Sequence, residues 1–231
     1  VLIIGAGLAG MRAALAAREA GSDVAIISKV TPVRSHSNAA QGGINAALTD
    51  RGDDWKEHAY ETVKGSDYLG DQDAIEILSS EAGRAVIELE HMGVVFSRDE
   101  DGRLGTRRFG GQQRARTFFV ADITGQALLH VLFEQLLKSG ITLYEEWFVS
   151  SLHIEDGQCH GVLAFDMKTG KIELIQAKSV VLATGGCGRI YEPSTNGLIV
   201  TGDGMALANA AGAPLMDMEM VQYHPTTLKS N

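Results

Sequence analysis

The chain of 231 residues carries 20 Lys and Arg against 29 Asp and Glu, a formal net charge of −9, and has no basic block, which argues against a nucleic-acid partner. Its two cysteines, Cys159 and Cys187, form neither a C-x-x-C pair nor a metal-ligand spacing, so no metal site or iron–sulfur cluster is expected from this chain itself. No apolar run approaches the roughly 18 residues that span a bilayer, and no signal or transit segment is visible.

In chain order, residues 1–4 read as a short buried strand running into Gly5-Ala6-Gly7-Leu8-Ala9-Gly10. An alanine-rich helix follows to about Glu19 and is closed by Gly21. Residues 24–28 read as a second strand, which completes a compact βαβ opening. A polar, small-residue stretch covers 30–50, and helical patterns follow at 54–64, 73–92 and 122–139. Between the last two lies a glycine- and arginine-rich segment, 102–116. Runs near 141–154, 160–166 and 171–184 read as strands, 203–211 as a short helix and 215–223 as an extended segment. This mixture predicts an α/β, Rossmann-like dinucleotide-binding domain over residues 1–231, with inserted helices and strands.

A G-x-G-x-x-G string has a specific physical meaning between a strand and a helix. Gly5 permits the tight turn, Gly7 lets the backbone approach a pyrophosphate, and Gly10 allows close helix–strand packing. The helix N-terminus adds free N–H groups and partial positive charge for the phosphates. Folds of this type usually end the second strand in an acidic residue for the adenosine ribose. Here the strand ends in Ser28-Lys29, and a lysine suits a ribose 2′-phosphate, so NADP stays open on this residue alone. Asp203, at a helix start, reads equally as an N-cap or as a ligand. Cys187, beside a glycine turn, reads as a buried spectator thiol.

The string Arg34-Ser35-His36-Ser37-Asn38-Ala39-Ala40-Gln41-Gly42-Gly43 is the most informative segment. A lone loop histidine is ordinarily a surface or hydrogen-bonding residue. The whole string, however, resembles the flavin-attachment motif of succinate dehydrogenase and fumarate reductase flavoprotein subunits, the FAD-dependent oxidoreductase 2 family. The resemblance extends along the chain through Thr62-Val63-Lys64-Gly65-Ser66-Asp67, Arg108-Phe109-Gly110-Gly111, Val180-Val181-Leu182-Ala183-Thr184-Gly185-Gly186 and Thr201-Gly202-Asp203-Gly204. It implies FAD bonded covalently through His36 to the methyl carbon at C8 of the flavin ring. It also implies cofactor contacts from the opening turn, from Ser28 and Lys29, from Ser35, Ser37, Ala40, Gln41, Gly42 and Gly43, and from Val149. Ala183, Thr184 and Gly185 belong to a second FAD fingerprint, and Asp203 to the polar chain of the cofactor.

For the substrate, the resemblance implies that Gly42 and Phe109 lie beside a succinate or fumarate dicarboxylate, and that His224 in Tyr223-His224-Pro225-Thr226 donates to one of its carboxylates. Gln222 and Tyr223 read as packing and support. The family's proton-shuttle arginine falls beyond residue 231, so no catalytic residue is expected within the chain and the chain alone is expected to bind flavin without turnover. The chain opens without methionine and stops at Asn231. It therefore reads as the N-terminal portion of a longer subunit, cut before a capping domain. The family's partners are an iron–sulfur subunit and quinone-binding membrane anchors. The implied location is peripheral, on the cytoplasmic side of the cell membrane or the matrix side of the mitochondrial inner membrane. The segment 107–117 is compact, as in fumarate reductases, while earlier segments lean towards dehydrogenases, so the direction of reaction stays open. Two alternatives are an L-aspartate oxidase-like enzyme with non-covalent flavin and a non-catalytic flavin-binding module.

Overall fold

The computed structural model describes residues 1–222. The chain begins with β1 (Leu2–Ile4), α1 (Leu8–Glu19) and β2 (Ala25–Ser28), followed by one-turn 3-10 helices at Pro32–Arg34 and His36–Ala39. Next come β3 (Ile44–Asn45), α2 (Trp55–Gly65), α3 (Gln72–Met92), β4 (Thr106–Arg107), β5 (Thr117–Phe118) and α4 (Thr124–Ser139). The remainder forms β6 (Thr142–Glu145), β7 (Trp147–Glu155), β8 (Gln158–Asp166), β9 (Ile172–Gln176), β10 (Val180–Leu182) and α5 (Asp203–Ala210). These elements sort into two compact units, Val1–Thr31 with the residues from Ile141 onward, and Pro32–Gly140.

The first unit is built on a four-stranded parallel sheet in the order β10-β1-β2-β6. Leu2, Ile3 and Ile4 are all buried, as expected for a strand flanked on both sides in a parallel sheet. A three-stranded antiparallel meander, β7-β8-β9, accompanies it. Leu2, Ile4 and Ile27 from the parallel sheet share a core with Val149, Val162 and Ala164 of the meander and Leu207 of α5. Each such aliphatic side chain contributes about 1.5–3 kcal/mol when fully buried.

Two expected strands split, for a local reason. Glu146 adopts φ +61° between β6 and β7, so the run expected at 141–154 turns from the parallel sheet into the meander. The run at 171–184 likewise divides into β9, which stays in the meander, and β10, which crosses to pair with β1. Among the described residues, 215–222 forms no strand. Asp217 takes φ +54° and Met220 N–H closes a turn onto its carbonyl at 2.9 Å. Cys187 is half-buried rather than buried.

The second unit consists of α2, α3 and α4 with a small antiparallel sheet, β3-β5-β4. Its helix boundaries follow from capping. Asp54 accepts from Lys56 N–H at 2.8 Å to start α2, and Asp71 accepts from Ala74 N–H at 3.1 Å to start α3. Gly93 (φ +119°) and Gly140 (φ +68°) end α3 and α4 in the left-handed region. Among the described residues no helix is long and apolar enough to cross a membrane.

Candidate functional site

In the first unit the predicted nucleotide residues converge at the carboxyl ends of β1, β2 and β10. The chain leaves β1 for β2 on one side, while β10 lies on the other, so β1 marks the point where connections diverge. Open α/β sheets form their ligand crevice at such a point. Gly5 takes φ +107°, and a Cβ there would overlap the Ala183 carbonyl. A Cβ on Gly10 would overlap the Gly5 carbonyl, so α1 can sit this close to the turn only with glycine. Gly7 caps α1 without any side-chain hydrogen bond, and the first bond into the helix is Met11 N–H to the Gly7 carbonyl at 3.0 Å. The N–H groups of Leu8, Ala9 and Gly10 therefore have no intrahelical acceptor and are available to phosphate. Ala6 is buried beneath the turn.

Further predicted residues belong to the same unit. Ala183 N–H is tied to the Ile4 carbonyl at 2.8 Å, which brings Thr184 and Gly185 beside the turn. A Cβ on Gly204 would overlap the Thr184 hydroxyl, so α5 begins in close contact with that segment. Asp203 is the first residue of α5, and Gly202 takes the N-cap position, so the capping reading of Asp203 does not hold. The Asp203 carboxylate instead accepts from Lys29 Nζ at 2.5 Å and from Thr201 Oγ1 at 2.8 Å. Lys29 also donates to Thr201 Oγ1 at 2.8 Å. Ser28 is buried and its hydroxyl donates to the Val30 carbonyl at 2.7 Å, which commits its side chain within the protein. Val149 places its side chain in the core, at a register shift of β7, so its main chain is the part left for a ligand.

The second unit holds Ser35, His36, Ser37, Ala40, Gln41, Gly42, Gly43 and Phe109. His36 opens the 3-10 helix after Ser35 and is half-buried. The Ser35 hydroxyl is buried and has no hydrogen-bond partner, as for a group that awaits a ligand. The start of α4 rests against this loop. Gly125 N–H donates to the Ala40 carbonyl at 2.8 Å, and a Cβ on Gly125 would overlap the Ser37 carbonyl. Gly43 (φ +115°) lies so close to β5 that a Cβ would sit 2.5 Å from the Phe118 carbonyl oxygen. A Cβ on Gly42 would lie 3.4 Å from the Phe109 ring, which places those two predicted residues side by side. Within the first unit, the glycine turn and the open helix amides fit the diphosphate of an FAD.

Sequence reasoning passed over the residues that support this loop. Arg107 donates to the Gly42 carbonyl at 2.6 Å and the Gln41 carbonyl at 2.8 Å. Thr117 donates to Asn45 at 2.6 Å and accepts from Gln112 at 3.2 Å, while the Gln112 side-chain oxygen accepts from Phe109 N–H at 2.8 Å. Beneath β5, the buried Arg116 pairs with Asp53 at 3.0 Å and with Glu61 of α2 at 3.3 Å. His58 is buried in the same cluster, where desolvation first, and then the Arg116 charge, lowers its pKa. An arginine-rich stretch whose strands are two residues long carries no periodicity, so only the ring-and-glycine string around Phe109 could have drawn attention there. His224 lies outside the described residues.

The family model described as FAD binding domain matches residues 1–231. The chain is 52% identical over 231 residues to the fumarate reductase flavoprotein subunit of Mycobacterium tuberculosis, covering 99% of this chain and 40% of that protein. It is 49% identical over 239 aligned positions to the succinate dehydrogenase flavoprotein subunit of Rickettsia bellii, covering 100% of this chain and 40% of that protein. A solved structure of E. coli quinol fumarate reductase FrdA superimposes with a TM-score of 0.95 at 46% identity, over 98% of this chain and 39% of that one. The chain thus spans about 40% of the length of these curated relatives. A glycine turn with open helix amides, a Lys29–Asp203 pair beside it and a match over every residue lead to one conclusion: the chain belongs to the FAD-binding domain family represented by the flavoprotein subunits of fumarate reductase and succinate dehydrogenase.

Proposed function

We propose that this chain is the FAD-binding portion of an enzyme that interconverts succinate and fumarate, with FAD bonded covalently to His36. The observation that carries the reading is the convergence of Gly5, Gly10, Ala183, Lys29 and Asp203 at the end of one parallel sheet, in a chain whose relatives are named for this reaction. FAD supplies, when bound, the hydride acceptor or donor for the substrate's C–C bond. The protein's part is to bind, orient and shield. The amides of Leu8, Ala9 and Gly10 receive the pyrophosphate, Asp203 orients the polar chain between pyrophosphate and ring, and Ser35 hydrogen-bonds the cofactor near His36. Gly42 and Phe109 border the dicarboxylate, with Phe109 as an apolar wall and the glycine backbone as a polar one. His224 donates a hydrogen bond to a substrate carboxylate. Electrons leave to an iron–sulfur subunit and a quinone-binding membrane anchor, with this polypeptide peripheral to the membrane.

The test is acid precipitation of the full-length protein followed by optical spectroscopy of pellet and supernatant. Flavin stays with the polypeptide and is bleached by succinate in the native protein. His36→Ser releases the flavin on precipitation while leaving it bound under native conditions. Free flavin in the wild-type supernatant overturns the covalent bond, and a flavin unaffected by succinate and fumarate overturns the reaction.

A further inference from the structure

Gly42 and Gly43 have no side chains with which to hold their own backbone, yet they occupy the place where a dicarboxylate is proposed to bind. Something outside the pair must fix it. For Gly43 that is the close approach of β5, described above. For Gly42 it is Arg107, in β4 opposite Thr117. The Arg107 Nη2 donates to the carbonyls of Gln41 (2.8 Å) and Gly42 (2.6 Å), and Nε donates a second bond to Gly42 at 3.2 Å. The guanidinium lies 4.5 Å from the centroid of the Phe119 ring and 5.4 Å from that of Phe109. Among the described residues it forms no ion pair, so its charge is spent on two carbonyl dipoles and two ring faces.

A trans peptide holds its C=O and N–H on opposite sides, and among the described residues the one cis bond lies elsewhere, at Glu192-Pro193. Fixing the carbonyls of Gln41 and Gly42 therefore turns the N–H groups of Gly42 and Gly43 away from Arg107. Both residues are exposed, and among the described residues neither amide donates to a protein acceptor. Two successive free amides of this kind form an anion-binding concavity. The positive charge on the carbonyl side polarises both peptides and strengthens their N–H donors.

Resting on the dicarboxylate reading above, we infer that Arg107 is a positioning residue: it clamps the Gln41–Gly42 carbonyls so that the amides of Gly42 and Gly43 face a substrate carboxylate. A planar guanidinium can hold two carbonyls at once in fixed directions, and an ammonium is a point donor that cannot. The clamp is thus specific to arginine rather than to positive charge.

The test uses the full-length enzyme with its flavin. Malonate serves as an unreactive dicarboxylate, and its binding is followed through the flavin absorption spectrum alongside succinate KM and kcat. Arg107→Ala is expected to raise the malonate Kd and the succinate KM by about tenfold or more, with covalent flavin content unchanged. Arg107→Lys is expected to recover less than about threefold of that loss. An Arg107→Ala enzyme with malonate Kd within about twofold of wild type overturns the inference, and so does full recovery by Arg107→Lys, which would make charge alone sufficient. If Arg107→Ala fails to hold flavin, Arg107→Gln, which keeps a two-donor amide, carries the same comparison. A wild-type flavin that ignores malonate and succinate alike overturns the dicarboxylate reading itself. A responsive wild type with an equally responsive variant overturns only the role of Arg107.

Discussion

At the scale of single residues, the Lys29–Asp203 pair decides what the end of β2 can bind. A lysine there invites a 2′-phosphate, but the Asp203 carboxylate 174 positions away holds its ammonium at 2.5 Å, with Thr201 completing the contact. With its charge so compensated, Lys29 offers little to an added phosphate, while Asp203 is held in one orientation beside the turn. The sequence could not reveal this, because the ion pair exists only once α5 is folded against the end of β2. Asp203→Asn is expected to cost about 1.5–3 kcal/mol of FAD affinity, as for a lost charge-assisted hydrogen bond, or a ten- to hundredfold rise in Kd, roughly, by the usual conversion. Equilibrium titration in a His36→Ser background measures it. Lys29→Ala is expected to weaken FAD in the same assay, because it releases Asp203 from its fixed position. For Ser28 and Val149 the sequence left the side-chain direction open: both turn inward, so any contact they make with a cofactor comes from their main chain.

At the scale of elements, α2 is pinned by charge to the segment that leads into β5. Arg116 and Asp53 are buried together, Glu61 adds a second carboxylate, and Arg114 reaches Glu57 at 3.0 Å on the surface. The cluster is incompletely satisfied, since His58 Nδ1, Asp53 Oδ2 and Arg116 Nε have no hydrogen-bond partner. Removing Asp53 takes away the hydrogen-bonded carboxylate of the buried Arg116 and leaves Glu61 as its counter-charge, so Asp53→Ala is expected to lower stability by about 1.5–3 kcal/mol in denaturant titration. His58 adds a pH dependence with a definite sign. Its folded pKa lies below 6.5, so the unfolded chain takes up the proton first as pH falls. The stability it contributes is complete above that value and is lost as pH descends towards the lowered folded pKa. Unfolding midpoints followed from about pH 8 to about pH 5 are expected to fall less steeply in His58→Phe than in wild type.

The same scale shows why some elements were readable. The long helices α3 and α4 carry apolar periodicity and glycine stops, and their boundaries agree with the sequence patterns to within two residues. β3, β4 and β5 have two residues each, too few for any alternation to register. The breaks at Glu146 and between β9 and β10 fall at short polar interruptions, Glu145-Glu146 and Gln176-Ala177-Lys178-Ser179, too brief to be told from solvent-facing positions of a continuing strand. There the change of sheet is set by backbone conformation and by which partner strand is free, neither of which leaves a local trace.

At the scale of the whole molecule, the two units differ in how they use the chain. One is contiguous, Pro32–Gly140. The other is assembled from two stretches separated by that entire length. The parallel sheet begun by β1 and β2 is flanked by β6 and β10, both of which come after residue 140. Order of synthesis and order of completion therefore part company. As the polypeptide emerges, its first two strands have no outer neighbours, and parallel pairing over so long a loop is slow. The contiguous half, by contrast, already has every piece it needs. Until translation has passed residue 182, the apolar strand β1 lacks its β10 neighbour and offers an open edge of the kind that chaperones cover.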